Sequence, residues 1–313
     1  MRILITGALG HIGSRLIREL PVRWPDAEIL FVDNMLTQRY PSLFDLPGGC
    51  RYHFFELDVT QSDLAQIVKG CDAVVHLAAM TDAANSFSNK AELEENNFQA
   101  SARVAEVCRD HGVHLIHLSS TSVYGVAEGV ATEESLVTPQ SPYAETKLKE
   151  EKLLSGMPDL RFLTYRFGTI AGISPGMRFH TAVNKFCWLA VMGQPITVWR
   201  TALDQCRPYL DLGDAIEAIF YALESRLCDR RIYNVVTQNM TVGEVTKLIK
   251  AEIPDLSIEF VDTQIMNQLS YEVSGARLKA VGFTPSGSIG RCITDTIHLL
   301  RRARSSSQQG GRS

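Results

Sequence analysis

The stretch Arg2-Ile3-Leu4-Ile5-Thr6-Gly7-Ala8-Leu9-Gly10-His11-Ile12-Gly13 joins an aliphatic run to three evenly spaced glycines and then to a helical pattern over 11–20. RILIT reads as a buried strand, so the glycines fall in a strand-to-helix turn. There Gly7 permits the tight turn, Gly10 lets a backbone approach a pyrophosphate, and Gly13 lets helix and strand pack closely, with the helix N-terminus facing the anion. On their own such glycines mark only a tight turn. The next strand, EILFVD, supplies the context: it ends at Asp33, 26 residues beyond Gly7, where an acid accepts hydrogen bonds from both hydroxyls of an adenosine ribose. A dinucleotide is expected, and NAD over NADP, because Asp33 repels a 2′-phosphate. Arg15 and Arg39, the cations that would offset that repulsion, read as solvated surface residues. Asp58, at the end of the third strand, reads either as an acceptor for the adenine amine or as part of a helix N-terminal cap begun at Thr60.

Outward from this stretch the same alternation continues. Apolar runs HFFELDV (53–59), AVVHLAA (73–79), HLIHLSS (114–120) and RFLTYRF (161–167) alternate with helical patterns over 61–69, 90–110 and 142–155. Continuous apolar runs suit strands buried on both faces, and the order predicts an α/β fold with a doubly wound parallel sheet, the Rossmann fold. In the 90–110 helix, Leu93, Ala100, Val104 and Cys108 share a stripe with Asn97. A polar residue there is either a satisfied core amide or an anchor near a site.

After Gly168 the texture changes to turn-rich sequence, a helix over 179–192, a strand ITVW (196–199) and an exposed-looking loop RTALDQCRP (200–208). Helices over 213–225 and 241–252 and a strand SIEFV (257–261) follow. The expected division is a cofactor-binding unit over 1–167 with 209–236 returning to it, a smaller interleaved substrate unit over 168–208 and 237–303, and a disordered tail over 304–313.

Composition bounds the function. In 313 residues, 45% hydrophobic and 21% charged, a formal charge of −4 argues against a protein that binds by neutralising nucleic-acid phosphates. Seven cysteines without a CxxC pair or a zinc-like cluster read as reduced packing thiols, and no metal is expected. Without an 18-residue apolar run no membrane partner is expected, and because RILIT runs straight into glycines the expected location is the cytoplasm.

Of nine tyrosines, Tyr143 alone has a lysine four residues later, in Ser141-Pro142-Tyr143-Ala144-Glu145-Thr146-Lys147. Ser141 suits an N-cap and Pro142 a first helical position, so Tyr143 and Lys147 share one face of the opening turns. A cation near a phenol favours phenolate, which makes Tyr143 a candidate base. Ser120 closes its strand at the sheet edge where parallel sheets place chemistry, and its hydroxyl suits the substrate oxygen whose proton Tyr143 removes. The bland readings are a helix-surface pair and a strand-end cap.

With these motifs in order, the chain resembles the extended short-chain dehydrogenases/reductases, in particular their nucleotide-sugar epimerase/dehydratase branch. The resemblance rests on TGALGHIG (6–13), Asp33, HLAA (76–79), Asn97, SSTSVYG (119–125), SPYAETK (141–147) and CRPYLDLGDA (206–215). It implies bound NAD held by Gly7, Gly10, His11, Ile12, Gly13, Asp33, Asn34, Asp58, Val59, Leu77, Ala78, Ala79, Asn97, Tyr143 and Lys147. It implies a nucleotide-diphosphate sugar held by Thr81, Ser120, Thr121, Ser122, Tyr143, Arg178, Asn184 and Arg207, with Ser120, Tyr143 and Lys147 catalytic. A homodimer through the 90–110 and 142–155 helices is also implied.

In the dehydratases of that branch an Asp-Glu pair stands where Thr121-Ser122 stand here, and decarboxylases and 3,5-epimerases carry glutamate or cysteine at the Ser122 position. The resemblance thus implies 4-epimerisation through a transient keto sugar. The asparagine common after the sixth strand is Gly168 here. A dehydrogenase, ketoreductase or dehydratase on the same scaffold, and a non-catalytic NAD sensor, stay open as alternatives.

Overall fold

The computed structural model describes residues 1–81, 90–127, 129–261 and 270–303. The chain begins with β1 (Arg2–Thr6), α1 (His11–Arg23), β2 (Glu28–Asp33), β3 (Arg51–Glu56), α2 (Ala65–Val68), β4 (Ala73–His76), α3 (Lys90–His111), β5 (His114–Ser120) and α4 (Pro142–Gly156). Among the described residues seven strands form one parallel sheet, in the order Ile232–Val235, Phe162–Phe167, β5, β4, β1, β2, β3. The chain leaves β1 toward β2 and β3, then crosses back to β4 on the other side. That reversal opens a crevice at the carboxyl ends of β1 and β4.

The apolar runs explain why these strands sit inside. In β1 and β2, Ile3, Ile5, Ile29 and Phe31 pack into one core with Leu16, Ile17 and Leu20 of α1 and with Ala215 and Ile219 of the helix Leu212–Ser225. The alternate residues Leu4, Leu30 and Val32 pack into a second core with Ala100, Val104 and Cys108 of α3 and Leu154 of α4. Side chains alternate across a strand, so an unbroken apolar run feeds both layers. The predicted α3 stripe is buried, Asn97 included.

Three expectations differ. The third strand covers 51–56 instead of 53–59, because β2 ends at Asp33 opposite Glu56 and the Asp58 carboxylate accepts from the N–H (2.8 Å) and hydroxyl (2.6 Å) of Thr60, turning the chain. For the same reason the 61–69 helix is reduced to the single turn Ala65–Val68, started by an Asp63 cap on Ala65. The supposed loop 200–208 contains a 3-10 turn and the start of the strand Cys206–Asp211, the middle strand of three between Thr169–Ala171 and Gln238–Thr241. Pro208 and the polar flanks hid it, since proline argues against a central strand. A third core joins this small sheet to the helices Ala182–Val191, Val242–Glu252 and Ile289–Leu300. The tail 304–313 lies outside the described residues.

Candidate functional site

A cavity of about 650 Å³ runs along the carboxyl ends of the central strands, within the size range of small-molecule sites. Its first wall is the glycine loop. Gly7 has φ +65°, and a Cβ on it would stand 2.6 Å from the backbone of Ala78; a Cβ on Gly13 would stand 2.6 Å from the backbone of Ala8. Neither position has room for a side chain. Gly10 has an ordinary φ of −67° and presents its bare face to the cavity, and no side chain caps α1, so the N–H groups of its first turn are open to an anion. The loop therefore fits a pyrophosphate. His11 and Ile12 line the same wall, with His11 Nε2 2.9 Å from the Gly172 carbonyl. Burial holds the His11 imidazole down at about 4, opposed by that contact, so it is neutral at physiological pH.

At the next wall Asp33 accepts from Leu9 N (3.1 Å) and Met35 N (3.0 Å), which fixes its carboxylate at the end of β2. Asn34, Asp58, Val59, Leu77, Ala78, Ala79 and Thr81 line the cavity beside it. Asp58 lines the wall, and its hold on Thr60 makes a turn and not a helix cap, since the helix begins at Ala65 behind Asp63. Burial raises the Asp58 carboxyl, but hydrogen bonds from Thr60 and Asn34 outweigh this and hold it below the usual range.

The opposite end gathers Ser120, Thr121, Ser122, Tyr143 and Lys147. Ser120 ends β5 and caps the 3-10 turn Thr121–Tyr124, its Oγ accepting from Ser122 N (3.2 Å) and Ser122 Oγ (2.9 Å). Ser141 caps α4 through Ala144 N at 3.2 Å with Pro142 in the first turn, as its sequence predicts. That start aims Tyr143 and Lys147 at the cavity, with Lys147 Nζ 6.0 Å from the Tyr143 ring centroid. Burial raises the Tyr143 phenol, the Lys147 charge opposes it, and Glu150 adds to the rise, so in this structure burial outweighs the expected acidification.

Two expected contacts do not reach the wall. Asn97 is buried behind it, accepting from Met80 N (2.7 Å) and donating to Met80 O (2.9 Å), so it is a satisfied core amide that also anchors a lining residue, which fits both readings. Asn184 is likewise buried, accepting from Gly172 N (3.4 Å) and donating to Arg178 O (3.2 Å). Arg178 and Arg207 do line the cavity, Arg178 donating to Thr81 Oγ1 at 2.7 Å. Gly168 lines it too, and a Cβ there would fall 2.9 Å from Pro208 O, so the backbone leaves no room for the asparagine.

A model of the NAD dependent epimerase/dehydratase family matches residues 3–235. The chain belongs to that family. Its cofactor is NAD, as the glycine loop and Asp33 predict. The family member YtcB of Bacillus subtilis, named an uncharacterized UDP-glucose epimerase, is 30% identical over 234 residues, covering 70% of this chain and 71% of that protein. A trifunctional UDP-glucose 4,6-dehydratase/UDP-4-keto-6-deoxy-D-glucose 3,5-epimerase/UDP-4-keto-L-rhamnose-reductase of Arabidopsis thaliana is 28% identical over 306 residues. That match covers 90% of this chain but 44% of the plant protein, so the chain spans less than half of that relative. Among solved structures, MoeE5 in complex with UDP-glucuronic acid and NAD superposes with a TM-score of 0.82 at 26% identity, covering 97% of this chain and all of that one.

For a member of this family, sequence reasoning missed several residues of the cavity. Arg39 is half-buried instead of solvated: it lines the wall, feels the Asp33 carboxylate, and donates to Gly176 O at 2.8 Å. Arg15, the other supposed surface cation, does pair with Glu19 on α1. Tyr271 is buried against the site from the C-terminal segment, hydrogen-bonded with Thr121 and near Arg207. Burial lowers the Arg207 guanidinium, opposed by Tyr271 and Tyr209. No local spacing signals Tyr271, which is brought in only by the fold. Among the described residues no cluster of potential metal ligands occurs and no helix is long and apolar enough to cross a membrane.

Proposed function

We propose that this chain epimerises a nucleotide-diphosphate sugar at C4, keeping its NAD through each turnover. The observation that carries this reading is the distribution of acids: among the described residues the carboxylates lining the cavity are Asp33 and Asp58, both at the adenosine end. Among the described residues the reacting end offers hydroxyls, the phenols of Tyr143 and Tyr271 and the Lys147 ammonium as proton-handling groups besides imidazoles, and no carboxylate. Water elimination needs an acid and a base at neighbouring carbons, whereas oxidation and reduction at one carbon need a single proton acceptor.

In this reading Tyr143 takes the proton of the C4 hydroxyl while Ser120 shares the hydrogen bond, and Lys147 supplies positive charge beside the phenol. Bound NAD would supply the hydride chemistry at C4, as acceptor and then as donor. After the keto sugar turns over, Tyr143 gives the proton back to the oxygen on the other face, so no second substrate is consumed. Arg178 and Arg207 hold the diphosphate, the latter suited to bidentate pairing. The residues 1–167 and 209–236 carry the cofactor, and 168–208 with 237–303 carry the sugar nucleotide. A homodimer through α3 and α4 belongs to the same reading.

The test is a panel of UDP-, GDP-, CDP-, ADP- and dTDP-sugars followed by NMR and nicotinamide absorbance, with and without added NAD. A C4 diastereomer without net NADH supports the reading. A 4-keto-6-deoxy product makes the chain a dehydratase, stoichiometric NADH makes it a dehydrogenase, and tight NAD binding without turnover makes it a sensor.

A further inference from the structure

One turn beyond Lys147, α4 carries a carboxylate that no step of the proposed reaction uses. Glu150 is fully buried, and its Oε2 accepts from Lys147 Nζ at 2.9 Å and from His117 Nε2 at 2.9 Å. A carboxylate only accepts, so Nε2 of His117 carries the proton in this contact. His117 is itself fixed inside the sheet: Nδ1 lies 3.3 Å from Thr164 Oγ1, and its ring stacks on His76 with centroids 6.4 Å apart. His76 in turn meets Thr6 Oγ1 at 2.7 Å and Ser101 Oγ at 3.2 Å.

The neighbouring Glu151 has a different task, joining Ser119 to a two-point ion pair with Arg166 of the strand Phe162–Phe167. Glu150 instead leaves its Oε1 buried without a partner. An orphaned carboxylate oxygen in the interior is costly, and an apolar side chain would avoid that cost. What the carboxylate gains is geometric. Lys147 has a long flexible stem, and Glu150 selects the rotamer that puts its ammonium 6.0 Å from the Tyr143 ring.

We propose that Glu150 is a positioning residue: pinned to β5 by His117, it holds the Lys147 ammonium beside Tyr143 and sets how much of that positive charge the phenol feels. The proposal rests on Tyr143 and Lys147 being the catalytic pair. The ionisable groups acting on the phenol are Lys147 and Glu150 of its own helix; around these two stand Glu151 on α4, His117 on β5 and His76 on β4, with Arg166 committed to Glu151. Burial raises the Glu150 carboxyl, but Lys147 and His117 outweigh this and hold it down at about 2, so it is an anion wherever the protein works. That anion opposes Lys147 at the phenol.

The test is 19F NMR titration of the full chain labelled with 3-fluorotyrosine, fluorination bringing the phenols to a lower pH, with Tyr143→Phe assigning the resonance. In Glu150→Gln the Tyr143 midpoint falls by about one pH unit, the scale of removing one nearby like charge. An unchanged or higher midpoint overturns the proposal. Gln keeps an acceptor for Lys147 and so reads the charge alone; Glu150→Leu removes charge and contact together, which releases the ammonium and puts the midpoint above that of Glu150→Gln, and a midpoint in Glu150→Leu equal to or below that of Glu150→Gln overturns the positioning role. Tyr143 is observed directly, so a chain that epimerises nothing in the sugar panel would fail the functional reading while leaving this measurement decisive.

Discussion

At the adenosine end of the cavity, Asp33 is held by the N–H groups of Leu9 and Met35, and the glycine loop is held by its own backbone. At the reacting end, Tyr143 and Lys147 depend on Glu150, on His117 thirty-three positions away in the chain, and on His76 beyond it. The first end is built from hydrogen bonds to backbone that any strand-turn-helix supplies. The second is built from side-chain charges that burial makes strong and that only several elements together can place. Local geometry therefore fixes where a dinucleotide lies, and long-range burial fixes how the acid-base group titrates.

The sharpest way to break this division is Tyr143→Phe. If the proposed reaction holds, turnover of the sugar nucleotide falls by about 10²–10⁴-fold while NAD affinity stays within a few-fold, because that reaction gives the lost hydroxyl the proton transfer. Lost NAD binding would show that the reacting end also builds the cofactor site. Next in size is Gly7→Ala, which demands φ +65° of an alanine and drives its Cβ to 2.6 Å from Ala78. A loss of about 2–5 kcal/mol in thermal or denaturant unfolding is expected, with NAD affinity reduced, from the left-handed backbone and the overpacking together.

Acidification reaches both ends, since burial lowers His11 of the glycine loop to about 4 as it lowers His76 of the reacting end. Burial lowers His76 to about 3, so below the unfolded histidine value near 6.5 the unfolded chain binds the proton that the folded one refuses. Stability should thus fall as pH drops from about 6.5 toward 3, by about 1.4 kcal/mol for each unit by which the folded group is displaced. Glu150, held at about 2, adds a second loss that begins only below the unfolded carboxyl range near 4.3 and is complete once pH passes below its folded value. Unfolding followed across pH in the protein and in His76→Asn should show the first window shrink in the variant; an unaltered window would contradict the burial argument.

A smaller effect tests the adenosine end. Asp33→Ala should weaken NAD by about tenfold or more and weaken NADP much less, if its carboxylate binds the ribose hydroxyls as the sequence predicts and so repels a 2′-phosphate. Equal weakening would place Asp33 in a purely structural role between Leu9 and Met35. The smallest effect is Ser141→Ala, which removes the α4 cap and should cost about 1 kcal/mol of stability.

The sequence made the adenosine end legible because each of its signals lies inside one element or one turn. Gly7, Gly10, Gly13 and Asp33 sit at the spacing a strand-turn-helix unit requires, and Ser141-Pro142 announces the helix that carries Tyr143. Asn97 was legible in its burial but not in its partner, since periodicity shows a face and not what meets it. Arg39 was misread as surface because its acceptor, Gly176 O, lies 137 positions away. Tyr271 gave no signal at all, and the strand Cys206–Asp211 was masked by the proline at its centre.

The sequence by itself determined the parallel sheet, the phosphate-binding turn, the preference for NAD and the Ser120, Tyr143 and Lys147 candidates, because each follows from local stereochemistry or short spacing. The charges acting on Tyr143, those of Lys147 and Glu150, lie on its own helix, and the tertiary structure alone decided what holds them and how deeply they are buried. The pairing of His117 with Glu150, the binding of Arg166 by Glu151 and the seating of Tyr271 on Thr121 join residues that no periodicity relates. They gain their strength from exclusion of water, which exists only once the core has closed.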